Sequence, residues 1–306
     1  MDSFLEIIFT ASFGFSILRV TTPILFAALG ALISDRAGVV NIGLEGVMLL
    51  SALSGVIVSA STQSAIVGLL GAVCTGILLS GALAYFTIKL RTHIILGGIA
   101  LNLLADGGSI FILYLLTGDK GTSASLPSKV LPNIELPLIN KIPVIGEIIS
   151  GHNVLTYVAI LAVICVYYML NRTPLGMKIK AIGENSNAAE SVGIKVKKIQ
   201  YIALMLSGLF AGLGGAFLSM GYVSWFSRNM SAGRGWIALA AEAMGRGTTI
   251  GTAITSLLFG VADALSNSLQ ILNIPSELIS IIPYAATVLG LWLYAVQTTN
   301  RMKKRR

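Results

Sequence analysis

The sequence predicts an all-α, polytopic transmembrane helix bundle of about eight to ten spans, with the N-terminus outside and the C-terminus in the cytoplasm. Three observations point there. Apolar residues make up 55% of the 306 and charged residues 11%, about half the charged share of a soluble domain. Apolar runs of roughly 20 residues, enough to cross a hydrocarbon core of ~30 Å, recur along the whole chain. Basic residues collect in alternate connections between those runs. Residues 1–306 therefore read as a single membrane domain. The net charge of +8 does not indicate nucleic acid, because the cations are spread between spans rather than gathered on one soluble face.

The candidate spans are roughly 8–33, 38–60, 64–88, 93–117, 152–170, 201–222, 235–246, 249–270 and 278–297. The start, MDSFLEIIFT, carries acids and no basic n-region, so the first run is expected to insert uncleaved. That run is long for one perpendicular helix and holds Arg19, so part of 3–18 is expected along the outer interface, with a bend near Pro23. The tail RMKKRR fixes the cytoplasmic side. Counting back, fifteen basic residues share that side: Arg36, Lys89, Arg91, Arg172, Lys178, Lys180, Lys195, Lys197, Lys198, Arg246 and five in the tail. Lys120, Lys129, Lys141, Arg228 and Arg234 fall on the other. The bias survives only if the short segment 235–246 crosses, or nearly crosses. A helix that short, flanked by Gly233, Gly235, Gly245 and Gly247, must be sheltered by its neighbours.

Residues 118–151 form the largest extracellular piece, and Pro127, Pro132, Pro137 and Pro143 oppose regular helix through most of it. On the opposite side lies the loop 171–200. Its stretch RTPLGMKIKAIGENSNAAESVGIKVKKIQ (172–200) carries six of the cations and a short helix with its own signals. Asn187 is placed as N-cap, Glu190 closes a capping box and Gly193 ends the helix. A capped helix in a loop between spans reads as a docking element for a cytoplasmic subunit, although a solvated connector would satisfy the same pattern.

Polar groups inside spans are costly and face a cavity or another helix. Asn41 and Glu45, Asn102 and Asp106, and Asp263, Asn267 and Gln270 each repeat at helical spacing, and Glu242 adds a fourth carboxylate. Three inward stripes would line a path for a neutral, hydrogen-bonding solute; the same groups would equally serve as bonds between helices. Arg19 is the single counter-charge expected among them, which disfavours an anionic solute. Gly208 and Gly212 in SGLFAGLGGAF (207–217), and the similar LGGIALNLLADGG (96–108), read as close-packing devices. Cys74 and Cys165 lie in apolar runs, so no disulfide framework or metal site is expected. No GxxxxGK[ST] loop, HExxH or GxSxG with a plausible His partner occurs.

The stretches LFAALGALISDRAGVVNIGLEGVMLLSAL (25–53), TPLGMKIKAIGENSNAAESVGIKV (173–196), SGLFAGLGGAFLSMG (207–221) and EAMGRGTTIGTAITSLLFGVADAL (242–265) resemble, in order, the membrane permeases of ATP-binding-cassette importers for branched-chain amino acids, simple sugars and nucleosides. The wording DRAGVVNIGLEG (35–46) is most similar to the nucleoside type. The resemblance implies a coupling helix set in a groove of a separate ATPase. That role would fall on Gly183, Glu184, Asn185, Ala188, Ala189 and Gly193. It also implies a second permease subunit, often a different sister chain, and an extracytoplasmic substrate-binding lipoprotein. ATP and Mg would be used by the ATPase, with no cofactor on this chain, and the setting would be the bacterial cytoplasmic membrane. Nucleoside import by alternating access is the expectation; a simple sugar or branched-chain amino acid is the alternative solute. A proton-coupled secondary transporter working through Glu45, Asp106 or Asp263, and an intramembrane transferase, are the competing classes.

Overall fold

The computed structural model describes residues 10–137 and 145–269, together with 285, 288 and 290. Apart from those three, the expected span 278–297 lies outside the described residues, as do Gln270, Lys141, Pro143 and the basic tail.

Helix α1 (Ala11–Arg36) is the buried axis of the bundle. Thr10 caps it by accepting the Phe13 N–H, and it runs through Pro23 as one helix. Thr21 and Thr22 donate their hydroxyls to the Ile17 and Leu18 carbonyls, satisfying polar groups within the helix itself. Residues 11–18 are thus the first turns of the same helix, not a separate interfacial piece, while 3–9 lie outside the described residues. At about 1.5 Å per residue its 26 residues outrun the hydrocarbon core. The excess packs beneath the connector, where a Cβ on Gly14 would press against Ile148.

Around α1 stand α2 (Leu44–Thr62), α3 (Ala65–Ala84), α4 (Ile94–Thr117), α6 (Val154–Arg172), α9 (Val196–Phe217) and α11 (Thr249–Leu269). Helix α3 continues as a π-helical turn to Lys89, and α9 to Tyr222. Seven described helices, counting α1, are long and apolar enough to cross a membrane. The connector between α4 and α6 is mostly irregular, as its prolines require. Its described residues form the short α5 (Ile145–Ile149) and a two-residue antiparallel pair, β1 (Asn133–Ile134) with β2 (His152–Asn153). The α3–α9 seam is packed backbone to backbone. A Cβ on Gly76 would overlap the Gly208 carbonyl oxygen, and one on Gly208 would overlap that of Gly76. Only glycine lets the two backbones approach so closely. In the α4 run, Gly98 packs on Ile42 in the same manner, whereas Gly107 and Gly108 meet nothing among the described residues within 4 Å.

One end of the bundle gathers the C-terminus of α1, the loop 173–195 and the turn at 245–248. There Arg36 donates from Nε to the Gly247 carbonyl (2.6 Å), and Gln200 donates to the Ala37 carbonyl (3.4 Å). The far end gathers the connector and residues 223–228: Arg228 N–H donates to the Gly121 carbonyl, and Lys129 N–H to Ser59 Oγ. Arg36 and Arg246 therefore lie at one end, Lys129 and Arg228 at the other, as the charge parity requires. Between Arg228 and Arg246 the chain crosses. The short helix α10 (Arg234–Met244) covers about 16 Å of that path, and the irregular stretch before it covers the rest. Ile237, Ala238 and Ala241 are buried against neighbouring helices, the shelter such a segment needs.

Candidate functional site: a polar centre and a projecting loop helix

Two breaks in regular helix meet inside the bundle. The first is the connector 37–43. From Arg36 at the bundle end the chain turns back inward to Asn41, which touches Ser80 and Ser207. Ser207 lies eleven residues into α9, so Asn41 sits about 16 Å from the start of that helix. Asn41 is thus not on a helix with Glu45, as its spacing had suggested. It is fully buried and satisfied: its Nδ2 donates to both serines (3.2 and 3.0 Å), and its Oδ1 accepts the Gly43 N–H (3.2 Å). Asn102, on α4, completes the connector. It accepts the Gly46 N–H (2.8 Å) and donates to the Ile42 carbonyl (3.0 Å). Backbone that leaves a helix at membrane depth must find partners in protein, and these two amides supply them.

The second break is the entry to α10. Glu45 meets it from the first turn of α2. Its two carboxylate oxygens accept the N–H groups of Gly233 (2.8 Å) and Gly235 (2.7 Å), two of the donors that a helix N-terminus leaves unpaired. Gly233 has φ +78, the left-handed conformation glycine adopts without strain. Gly235 is required for a different reason: a Cβ there would overlap the Glu45 backbone and carboxylate. The residue between them, Arg234, points to α11 and pairs with Asp263 at 3.2 Å, both side chains largely buried. Its Nη1 also donates to the Met230 and Ser231 carbonyls. Arg234 had been placed outside with the topology cations. It is instead an internal counter-charge, whereas Arg19, expected in that role, donates to the Tyr222 carbonyl and lies over the Tyr222 ring; no local pattern links Arg234 to an acid 29 residues away.

The remaining path candidates separate. Glu242 is buried at the other end of α10, hydrogen-bonded to Asp35 and close to Arg36. Asn267 is half-buried on α11, beyond Asp263. Asp106 faces outward from α4 beside Leu103, Leu104 and Phe111, all exposed, with Gly107 and Gly108 next to it. A carboxylate in such an apolar strip is costly unless another protein surface or water covers it.

The loop between α6 and α9 is two helices rather than one. Helix α7 (Pro174–Glu184) starts with Thr173 accepting the Gly176 N–H and Pro174 in the first turn. Helix α8 (Ser186–Ser191) follows at once, and its N-cap is Asn185, not Asn187: Asn185 Oδ1 accepts the Ala188 N–H (3.0 Å). Asn187 lies inside the helix, so the expected capping box with Glu190 does not form. Gly193 does end it, with φ +84. Its N–H donates to the Glu190 carbonyl and the next N–H, of Ile194, to the Ala189 carbonyl, the paired bonds of a Schellman closure. Ala189 is buried in the core, while Glu184, Asn185 and Ala188 are exposed and Val192 is 76% exposed. Gly183 ties α7 to the bundle, since a Cβ there would overlap the Arg36 carbonyl. Arg36 belongs to α1, so α7, which leads into the projecting helix, is seated directly on the buried axis.

At the far end, His152 stacks on Phe15 with ring centroids 3.9 Å apart and bonds the Ile148 carbonyl at 2.9 Å. Burial lowers its pKa below the ordinary value; the Ile148 carbonyl opposes this, and the Arg19 charge adds to it. No group of three or more metal-ligating side chains occurs among the described residues.

Residues 14–296 match the family described as branched-chain amino acid transport system / permease component. The chain is 35% identical to the guanosine ABC transporter permease protein NupQ of Bacillus subtilis (strain 168), over 88% of this chain and 87% of that one. It is 32% identical to the nucleoside ABC transporter permease protein NupC of Lactococcus lactis subsp. cremoris (strain MG1363), over 91% and 90%. Its fold is similar to that of a solved ABC transporter described as of the metal-chelate type in an inward-facing conformation. The TM-score is 0.56 at 17% identity, covering 90% of this chain and 84% of that one. With its seven membrane-length helices and a family match across nearly its whole length, this multi-pass membrane protein belongs to the branched-chain amino acid transport system permease family and is a permease component of an ABC transporter.

Proposed function

We propose that this chain is one of a pair of permeases in a nucleoside importer of a bacterial cytoplasmic membrane. A lipoprotein outside delivers the solute, and a separate ATPase, using ATP and Mg, docks from the cytoplasm. The N-terminus is outside and the C-terminus inside. Connector 118–151 is then the extracellular loop and 171–200 the cytoplasmic coupling loop. The observation that carries the reading is the projecting helix α8. It is capped at both ends, anchored by Ala189, and exposes Glu184, Asn185, Ala188 and Val192 to a partner. Through Gly183 and Arg36, a push on α7–α8 is delivered to α1. A rigid, short lever seated on the central helix suits a mechanism in which the nucleotide state of the ATPase selects between two permease arrangements.

The outward face of α4 supports a second permease. Asp106, Gly107 and Gly108 open onto space that the described residues do not fill, and a sister subunit would both cover the carboxylate and form the other wall of a path. Asp106 and Asn267 are then the better path candidates. Asn41, Glu45, Asn102 and Asp263 are already engaged in holding the bundle, and Glu242 is engaged with Asp35. The nucleoside assignment draws on the guanosine and nucleoside permeases to which the chain is similar. It is tested by uptake of labelled adenosine or uridine in cells making this chain with its neighbouring ATPase and permease. ATP-dependent uptake competed by unlabelled nucleosides, and not by ribose or leucine, is the expected result. Competition by ribose or leucine would retain the importer and remove the nucleoside. Uptake driven by a pH gradient, with no ATPase present, would overturn the reading altogether.

A further inference from the structure

At the end of the bundle that carries α7 and α8, a cleft of about 340 Å³ opens between α6, α7 and the start of α11. Arg36 and Lys180 line it with Asn171, Thr248, Tyr167 and Ile250, and no carboxylate is among its described lining residues. Both cations are held by neutral oxygens: Lys180 donates to Asn171 Oδ1 (2.6 Å), and Arg36 to the Gly247 and Arg246 carbonyls. Glu242, bonded to Asp35, feels the Arg36 charge, but neither acid lines the cleft. The described residues that do line it carry two positive charges and no negative one. Thr249 and Ile250, which also line it, are the first residues of α11, and their N–H groups add partial positive charge to that of the side chains. The rim is apolar on the membrane side, where Tyr167 and Ile250 are about half exposed. Tyrosine is enriched at the depth where acyl chains give way to headgroups.

We propose that this cleft binds the headgroup of an anionic phospholipid, its phosphate held by Arg36 and Lys180 and its acyl chains lying along Tyr167 and Ile250. Basic pockets between membrane helices at headgroup depth have this chemistry. The apolar rim selects a lipid over a soluble phosphate, which would leave that surface bare. A bound headgroup would bridge Lys180, on the helix leading to α8, and the start of α11. The lipid would thereby set how firmly the projecting loop is fixed to the bundle.

The test is native mass spectrometry of the full-length chain with phosphatidylglycerol and phosphatidylcholine of matched acyl chains. Phosphatidylglycerol is expected to bind preferentially. Lys180→Ala should weaken it about fivefold, the effect of one surface lysine. Thr248→Asp keeps a residue able to cap α11 but puts a negative charge at the cleft, and should weaken it at least as much. Neither change should alter phosphatidylcholine binding or the melting temperature in phosphatidylcholine micelles. Should Thr248→Asp fail that folding control, Lys180→Ala decides alone. Equal binding of the two lipids would overturn the proposal. So would an equal loss in Lys178→Ala, which alters an exposed lysine of α7 outside the cleft. Displacement of phosphatidylglycerol by glycerol phosphate at comparable concentration would overturn the lipid as the source of the phosphate.

Discussion

Replacing Glu45 distinguishes a structural carboxylate from a transporting one. Its two oxygens accept two N–H groups at 2.8 and 2.7 Å at the entry to α10. A hydrogen bond to a charged group contributes about 1.5–3 kcal/mol, so Glu45→Ala should cost roughly 3–6 kcal/mol, with the attraction of the carboxylate for the helix N-terminus included. Glu45→Gln keeps one acceptor oxygen but turns an NH₂ toward the second N–H. About half the loss is expected, roughly 2–3 kcal/mol. The assay is unfolding in mixed micelles followed by circular dichroism, with protease cleavage within 223–233 as a local readout. Cleavage should increase in both variants before global unfolding, because the stretch leading into α10 loses its anchor. Uptake should fall in step with stability. A Glu45→Gln protein as stable as the parent, uncleaved, yet inactive in uptake would refute the reasoning and return Glu45 to the path.

Three further outcomes are expected. Asp263→Leu should destabilise by about 3–5 kcal/mol because it leaves Arg234 buried without its acid, whereas adding Arg234→Met should recover most of that loss. A double-mutant cycle showing no coupling would dissolve the pair. Ala188→Glu changes an exposed position of α8, so insertion and melting should be unchanged within about 0.5 kcal/mol. Uptake and its linkage to ATP hydrolysis should drop about tenfold or more, as a charge is buried against the partner without a counter-ion; normal uptake would remove α8 from the docking surface. His152 is held below its ordinary value of 6.5, so the unfolded chain binds the proton more readily. Its contribution to stability is complete above about pH 6.5 and is lost as pH falls toward the folded value. His152→Gln should flatten the pH dependence of melting in that range, and an unchanged slope would show that other groups set it.

The bundle was legible because membrane burial is written locally, in apolar runs and in the sidedness of cations. The charge parity even required α10 to cross, although its eleven helical residues could not have been identified as a span by length. Gly193 was legible as a helix stop because the left-handed turn it forms is a property of its own backbone. The N-cap was misread by two residues. Asn185 and Asn187 are equally good caps in composition, and the choice between them depends on where α7 ends against Arg36. The polar centre was only half legible. Helical spacing placed Asn41 and Glu45 on one face, but Asn41 lies in a connector that folds inward, and spacing says nothing where the helix is interrupted. The Arg234–Asp263 pair and the Glu45 bonds to Gly233 and Gly235 join residues far apart in sequence, so no periodicity announces them.

The dependence of α10 on Glu45 bears on the order in which the protein is assembled. Eleven helical residues that include Arg234 and Glu242 are too few and too polar to enter a bilayer as an independent unit. The carboxylate that receives this segment is contributed by residue 45, synthesised nearly two hundred residues earlier, and Asp263, the counter-ion of Arg234, only afterwards. During biogenesis the segment from 229 to 246 must therefore wait at the membrane surface or within the insertion machinery until α1, α2 and α11 have come together. Its crossing is then a late folding step rather than an insertion step, completed when α11 brings Asp263 to Arg234.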